Sequence, residues 1–206
     1  MTYDKKELNK IPKELTGKTA SGISDSKKKE LASSSSNSTV LTWLAGDEKV
    51  GVRRGVAENP NTPVELLTKL EGDESYGVRR GVARNPNTPV EVLIKLAGDK
   101  EWYVRGGVAE NPNTPVELLI KLAVDESYGV RYRVAENPNT PLEALIKLAG
   151  DVNEDIRRVV ARNPNTPVEL LIKLAGDEYS GTRRGVAENP NQRSTSGELE
   201  LRISKL

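Results

Sequence analysis

A phrase of 26 residues repeats along this chain without insertion, and it constrains the fold more than any other feature. It begins as Thr62-Pro63-Val64-Glu65-Leu66-Leu67 and closes on Asn85-Pro86-Asn87, then restarts at Thr88, Thr114, Thr140 and Thr166. A fixed period in this range is the sequence signature of a solenoid, where each unit buries its apolar face only against its neighbours.

Inside the phrase, Thr62 and Glu65 have the spacing of a capping box. Pro63 suits the first helical position, where a missing N–H costs nothing. Val64, Leu67, Thr68, Leu70 and the column of residue 71, which becomes Ala in later copies, predict an apolar stripe at helical spacing. Gly72 ends that helix and Asp73 is the expected N-cap of a second. Val78 and Val82 share a face of the second helix, and Asn85 before Pro86 stops it. Helices of about ten residues are marginal alone in water, so stacking must hold them. The expected fold is all-α, an α-solenoid of two-helix repeats. The unit is short enough for one of the two elements to be tight 3₁₀ helix.

Residues 36–191 hold six repeats, the first degenerate at its start. There Ser36 takes the place of the capping Thr, while Leu41, Leu44, Asp47, Arg53 and Asn59-Pro60-Asn61 keep the pattern. Two readings of the polar, lysine-rich residues 1–35 stand side by side. One is a disordered tail. The other is a decayed repeat over residues 9–35 that caps the array, because Ile11-Pro12-Lys13-Glu14-Leu15 echoes Thr-Pro-Val-Glu-Leu and Ser24 to Ala32 echoes the second helix. Residues 192–206 break the pattern and are open to reading as a tail or as a cap. Leu199, Leu201 and Ile203 alternate as in a strand, whereas Leu199, Ile203 and Leu206 fit a helical face.

Composition removes whole classes of chemistry. The chain has no Cys and no His, hence no disulfide framework, thiol nucleophile, zinc or iron–sulfur ligand set, or neutral-pH proton shuttle. Each carboxylate of the array sits in a repeated column, whereas a catalytic pair should be singular. No enzyme and no cofactor are expected. No apolar run reaches membrane-spanning length and no signal peptide opens the chain, so a soluble cytoplasmic protein is the expectation.

The repeat resembles the leucine-rich repeat variant family. The carriers are Val56-Ala57-Glu58-Asn59-Pro60-Asn61-Thr62-Pro63, then Glu65, Leu67 and Leu70, then Asp73 and Val78-Arg79. The resemblance covers residues 36–191. It implies a right-handed superhelix of alternating α and 3₁₀ helices, akin to armadillo and HEAT solenoids. The family's founding type also carries a cysteine-rich iron–sulfur segment, which a chain without cysteine cannot supply. A fold of this kind does not by itself fix a function.

Comparison of the copies separates structure from recognition. The pairs Asp73 and Arg79, Asp99 and Arg105, Asp125 and Arg131, and Asp151 and Arg157 belong to two invariant columns. They predict a structural ladder in which an Asp of one repeat reaches an Arg of the next, adjacent helices lying about 8–10 Å apart. The competing reading is a phosphate-binding stripe of arginines. Two other columns vary and, four residues apart, share a helix face opposite Val78 and Val82. They expose Tyr76 with Arg80, Trp102 with Gly106, Tyr128 with Tyr132, and Glu154 with Arg158, with Tyr103 and Arg133 nearby. Gly106 is expected to leave space beside Trp102. Trp, Tyr and Arg are enriched at binding hot spots, so Tyr76, Arg80, Trp102, Tyr103, Tyr128, Tyr132, Arg133 and Arg158 are the candidate partner-binding residues. The bland alternative is that these rings fill grooves between repeats. A protein or peptide partner is favoured. Nucleic acid is the alternative, disfavoured by 31 basic against 30 acidic residues, and a spacer or self-assembling array is a third reading.

Overall fold

Short helices alternate with tight turns throughout residues 23–193, which are the residues the computed structural model describes. The chain forms two compact units, Met1–Leu96 and Ala97–Leu206. The described part of the first contains α1 (Asp25–Ser34), α2 (Ser38–Leu44), α3 (Val50–Glu58), α4 (Val64–Leu70), α5 (Tyr76–Arg84) and α6 (Val90–Leu96). The second contains α7 (Trp102–Glu110), α8 (Val116–Leu122), α9 (Tyr128–Glu136), α10 (Leu142–Leu148), α11 (Glu154–Arg162), α12 (Val168–Ala175), α13 (Ser180–Glu188) and α14 (Pro190–Arg193). The described residues contain no strand, and the fold is a helical tandem-repeat solenoid. Both elements of a repeat are α-helical. Three-ten geometry is confined to bonds at their ends, such as Leu66 N to Pro63 O at 3.0 Å and Asp73 N to Leu70 O at 3.1 Å.

The helix starts differ from the sequence expectation. Pro63 is itself the N-cap, its φ fixed at −59°, and no side chain caps α4. Thr62 is buried, and its hydroxyl donates back to Val56 O at 2.6 Å, tying the turn to the preceding helix. Asp73 is not the N-cap of α5, because Ser75 holds that position. Asp73 closes an Asx turn, its Oδ1 accepting from Ser75 N at 2.9 Å. In the degenerate first repeat, Asn37 rather than Ser36 caps, accepting from the Thr39 and Val40 amides. Gly72 is not a left-handed cap, since no described glycine has positive φ.

The apolar stripe of the first helices is rotated from the predicted one. Leu66, Leu67 and Leu70 are buried in α4, whereas Val64 and Thr68 face out. The same holds in α10, where Ala144, Leu145 and Leu148 are buried while Leu142 and Ile146 are about half exposed. The second helices supply Val78, Val82 and Ala83 to the core of the first unit, and Val130, Val134, Ile156 and Val160 to that of the second. Glycine lets them approach closely. A Cβ on Gly81 would lie 3.0 Å from Ala57 Cβ, and one on Gly185 would lie 3.0 Å from Ala161 Cβ.

Two polar ties join successive repeats. The first Asn of each Asn-Pro-Asn turn is buried and does more than punctuate. Asn85 Nδ2 donates to Ala57 O and Asn59 O, both at 2.8 Å, while its Oδ1 accepts from Asn87 N. Asn163 does the same toward Ala135 O and Asn137 O. The second tie is ionic. Its direction is opposite to the expected one, because an Arg of one repeat holds the Asp of the next. Arg53 Nε lies 2.6 Å from Asp73 Oδ2, and Nη1 of Arg53 donates to Asp47 O. In the second unit Arg105 grips Asp125, Arg131 grips Asp151 and Arg157 grips Asp177, with Nε to Oδ2 distances of 2.6–2.7 Å. Arg79 Nη1 donates to Asp73 O, and Asp99 Oδ1 accepts from Glu101 N.

α1 enters the same scheme. Asn59 Nδ2 donates to Ala32 O and Ser35 O, and Lys28 Nζ reaches Asp47 Oδ2 at 2.8 Å, where later repeats use arginine. The echo at residues 11–15 and the strand-or-helix question at residues 199–206 lie outside the described residues.

Candidate functional site

The variable columns start at the first turns of the second helices, where side chains project past the packed Val and Ala face. In the first unit Tyr76 opens α5 and is exposed, and Arg80 is half-buried one turn on. In the second unit Trp102 and Tyr103 open α7, and Tyr128 opens α9 with 64% of its surface exposed. Trp102 and Tyr103 stack, with ring centroids 3.8 Å apart and planes inclined by 27°. Stacked in this way the two rings form one continuous aromatic platform.

The platform leans on the next repeat. A Cβ built on Gly129 would come within 2.5 Å of Trp102 Cζ3, so the indole lies over the first turn of α9 beside Tyr128. Space for Trp102 therefore comes from Gly129 and not from Gly106. Gly106 is buried, and the nearest atom to a Cβ there is Arg133 Cγ, at 3.9 Å. The two substitutions match: Arg133 stands in the column that holds Gly81 and Gly185 elsewhere, and Gly106 stands where other repeats have Arg or Tyr.

The second member of each outward pair is less exposed than helical spacing implied. Tyr132, Arg133 and Arg158 are half-buried, because at this depth the side chains meet the neighbouring second helix. Arg133 is spanned by two carboxylates, Glu110 Oε1 at 2.9 Å from Nε and Glu136 Oε2 at 2.7 Å from Nη1. Burial works against the Arg133 cation, but hydrogen bonding to Glu136 and the field of Glu110 outweigh it, so its pKa is raised. Its guanidinium carbon lies 5.7 Å from the Tyr132 ring centroid. Burial, followed by the Glu136 charge, pushes the Tyr132 phenol up. Arg158 Nη2 pairs with Asp155 at 2.8 Å. The site thus divides into an aromatic part, Trp102, Tyr103 and Tyr128, and an arginine part neutralised from within.

The ladder residues stand apart from this site. Arg105 is 8% exposed, and its hydrogen bond to Asp125 raises its pKa. Its cation is thereby withdrawn from any external phosphate. Glu110 and Glu136 lie in one column with Glu58, Arg84, Arg162 and Glu188, whose alternation of Glu and Arg reads from the sequence as a solvated face, and Gly129 does not stand out because Gly51, Gly77 and Gly181 share its column. Among the described residues no group of three or more acidic side chains converges as metal ligands would. None of the described helices is long and apolar enough to cross a membrane.

The pattern that defines the leucine rich repeat variant matches residues 50–75 and 76–101. A solved structure, described as a leucine-rich repeat variant with a novel repetitive protein structural motif, is similar over 80% of this chain and 69% of its own, at 30% identity with a TM-score of 0.57. This chain belongs to the leucine-rich repeat variant family. The crystal structure of an engineered protein is also similar, at 19% identity over 92% of this chain and 96% of its own, with a TM-score of 0.43. Curated proteins provide no match. Membership in the leucine-rich repeat variant family accounts for the tandem helix pairs and assigns no ligand to them.

Proposed function

We propose that this chain is a non-catalytic scaffold that binds a protein or peptide through the exposed face of its second helices. The observation that carries the reading is the stacked Trp102–Tyr103 platform beside Tyr128, three partly exposed rings at the start of α7 and α9. Rigid aromatic area bound to the next repeat through Gly129 loses little entropy on docking, and Trp and Tyr dominate interface energetics. Residues 36–191 act as the array in this reading, residues 1–35 as its N-terminal cap and residues 192–206 as its tail. The Lys28–Asp47 and Asn59–Ala32 bonds support the capping role.

The test is selection of binders from a displayed random-peptide library on the full chain, followed by the double variant Trp102→Ala, Tyr128→Ala. The expected result is a loss of affinity of about tenfold or more, since hot-spot truncations cost upward of about 1–2 kcal/mol, with helical circular dichroism unchanged. Binders that tolerate the double variant would defeat the proposal. The nucleic-acid alternative is weakened because carboxylates engage Arg133 and Arg158. Fluorescence polarisation of a labelled oligonucleotide should show no salt-sensitive binding, whereas a steep salt dependence would favour that alternative.

A further inference from the structure

The first helices of the second unit carry a surface that neither the repeat core nor the aromatic face uses. On α8, α10 and α12 the outward pairs are Val116 with Ile120, Leu142 with Ile146, and Val168 with Ile172, each four residues apart. Val116, Leu142 and Ile146 are 46%, 52% and 54% exposed, while Ile120, Val168 and Ile172 are half-buried. Scattered apolar residues on a surface need no explanation. Here, however, the same two columns are aliphatic in three consecutive repeats, next to columns that are always charged.

The charged columns have a fixed order. Each helix has Glu in its first turn and Lys in its last: Glu117 and Lys121, Glu143 and Lys147, Glu169 and Lys173. All six are exposed. The Arg–Asp and Asn ties hold successive repeats in one register, so the three helices present a row of carboxylates one turn before a row of ammonium groups, the two rows meeting in α10, where Lys147 Nζ lies 2.9 Å from Glu143 Oε1, with aliphatics interspersed.

We infer that this face is a contact between two copies of the chain, related by a two-fold axis that runs along the array and across the helices. Such an axis reverses the helix direction in the partner. It sets the Glu row of one copy against the Lys row of the other, and the aliphatic columns against each other. An isologous contact must be self-complementary in this way. A two-fold axis parallel to the helices would instead oppose Glu to Glu and Lys to Lys, a juxtaposition that costs affinity. The surface charge therefore selects one pairing, and the aliphatics supply the apolar area it covers.

Sedimentation equilibrium of the full chain over a wide concentration range tests this. A reversible dimer is expected. Leu142→Asp with Ile146→Asp should raise its dissociation constant about a hundredfold or abolish it. Replacing the Glu row alone (Glu117→Lys, Glu143→Lys, Glu169→Lys) should weaken the dimer, and adding Lys121→Glu, Lys147→Glu and Lys173→Glu should restore it. All positions face outward, and circular dichroism checks that the variants fold. A monomer at every concentration would overturn the inference. So would a dimer that survives the Leu142 and Ile146 changes, or one lost only with Trp102→Ala and Tyr128→Ala, which would place the contact on the aromatic face. Monomeric protein that binds phosphatidylcholine vesicles through Leu142 and Ile146 would also overturn it, making the face a lipid surface.

Discussion

Asn163 shows what a single side chain does in this fold. Its amide satisfies two carbonyls of the preceding repeat while its oxygen takes the Asn165 N–H. Truncation leaves those buried groups without partners, and Asn163→Ala should cost about 3 kcal/mol in urea unfolding, at about 1–3 kcal/mol for each group left unsatisfied. Asn165→Ala removes only an exposed bond to Pro138 O and should cost less than about 1 kcal/mol. Titration gives a second residue-level prediction. Burial alone would raise the Asp73 carboxyl, but the Arg53 and Ser75 bonds prevail and hold it below the usual range; Arg157 does the same for Asp177. A carboxyl with a depressed folded-state pKa contributes stability that is complete above its unfolded value, about 4, and is lost as pH falls through the folded value. The melting temperature should therefore drop on acidification below about pH 4, and Arg157→Met should flatten that acid limb. The Asp and Arg columns were legible in the sequence because they never vary, although the direction of their pairing was not. An Asp at the start of a helix suggests a cap, and only the preceding repeat could show that its oxygens were committed elsewhere.

At the scale of the helix, what decides a substitution is the neighbour one repeat away. Gly106 and Gly185 both lie within second helices, where Gly→Ala gains roughly 0.5–1 kcal/mol of helix propensity. A methyl at Gly106 meets only Arg133 Cγ at van der Waals distance, so Gly106→Ala should raise the melting temperature. At Gly185 the methyl would lie 3.0 Å from both Ala161 Cβ and Arg158 O, so Gly185→Ala should lower it. Sequence reading placed Gly106 beside Trp102 because both lie on one helical face. The residue that uses the space, Arg133, is 27 positions later and in another repeat. The first helices were misread for a related reason. Paired leucines at positions 66 and 67 fit two overlapping stripes, and local periodicity could not choose the one that faces the second helices. That choice left Leu142 and Ile146 outside, where sequence reasoning had placed core.

For the molecule as a whole, the period in the sequence was enough to give the fold class, whereas the candidate site was legible only in part. Trp102 and Tyr128 stand out as aromatics in a column that varies, but the carboxylates that neutralise Arg133 share one column whose Glu and Arg alternation suggests only a solvated face. Stability in such an array is close to a sum of repeat and neighbour terms, so protection against hydrogen exchange should be graded. In the second unit, the amides of α9 and α11, with repeats on both sides, should exchange more slowly than those of α13; uniform protection would contradict this. The polar ties have a consequence for how such a gene can change. Arg105 finds its partner 20 residues on and Asn163 finds its acceptors 26 and 28 residues back. Losing one residue inside a repeat would break both ties at once, whereas losing or duplicating a whole repeat would recreate every pair with new members. Recombination within the coding sequence can thus lengthen or shorten the array only in steps of one complete unit.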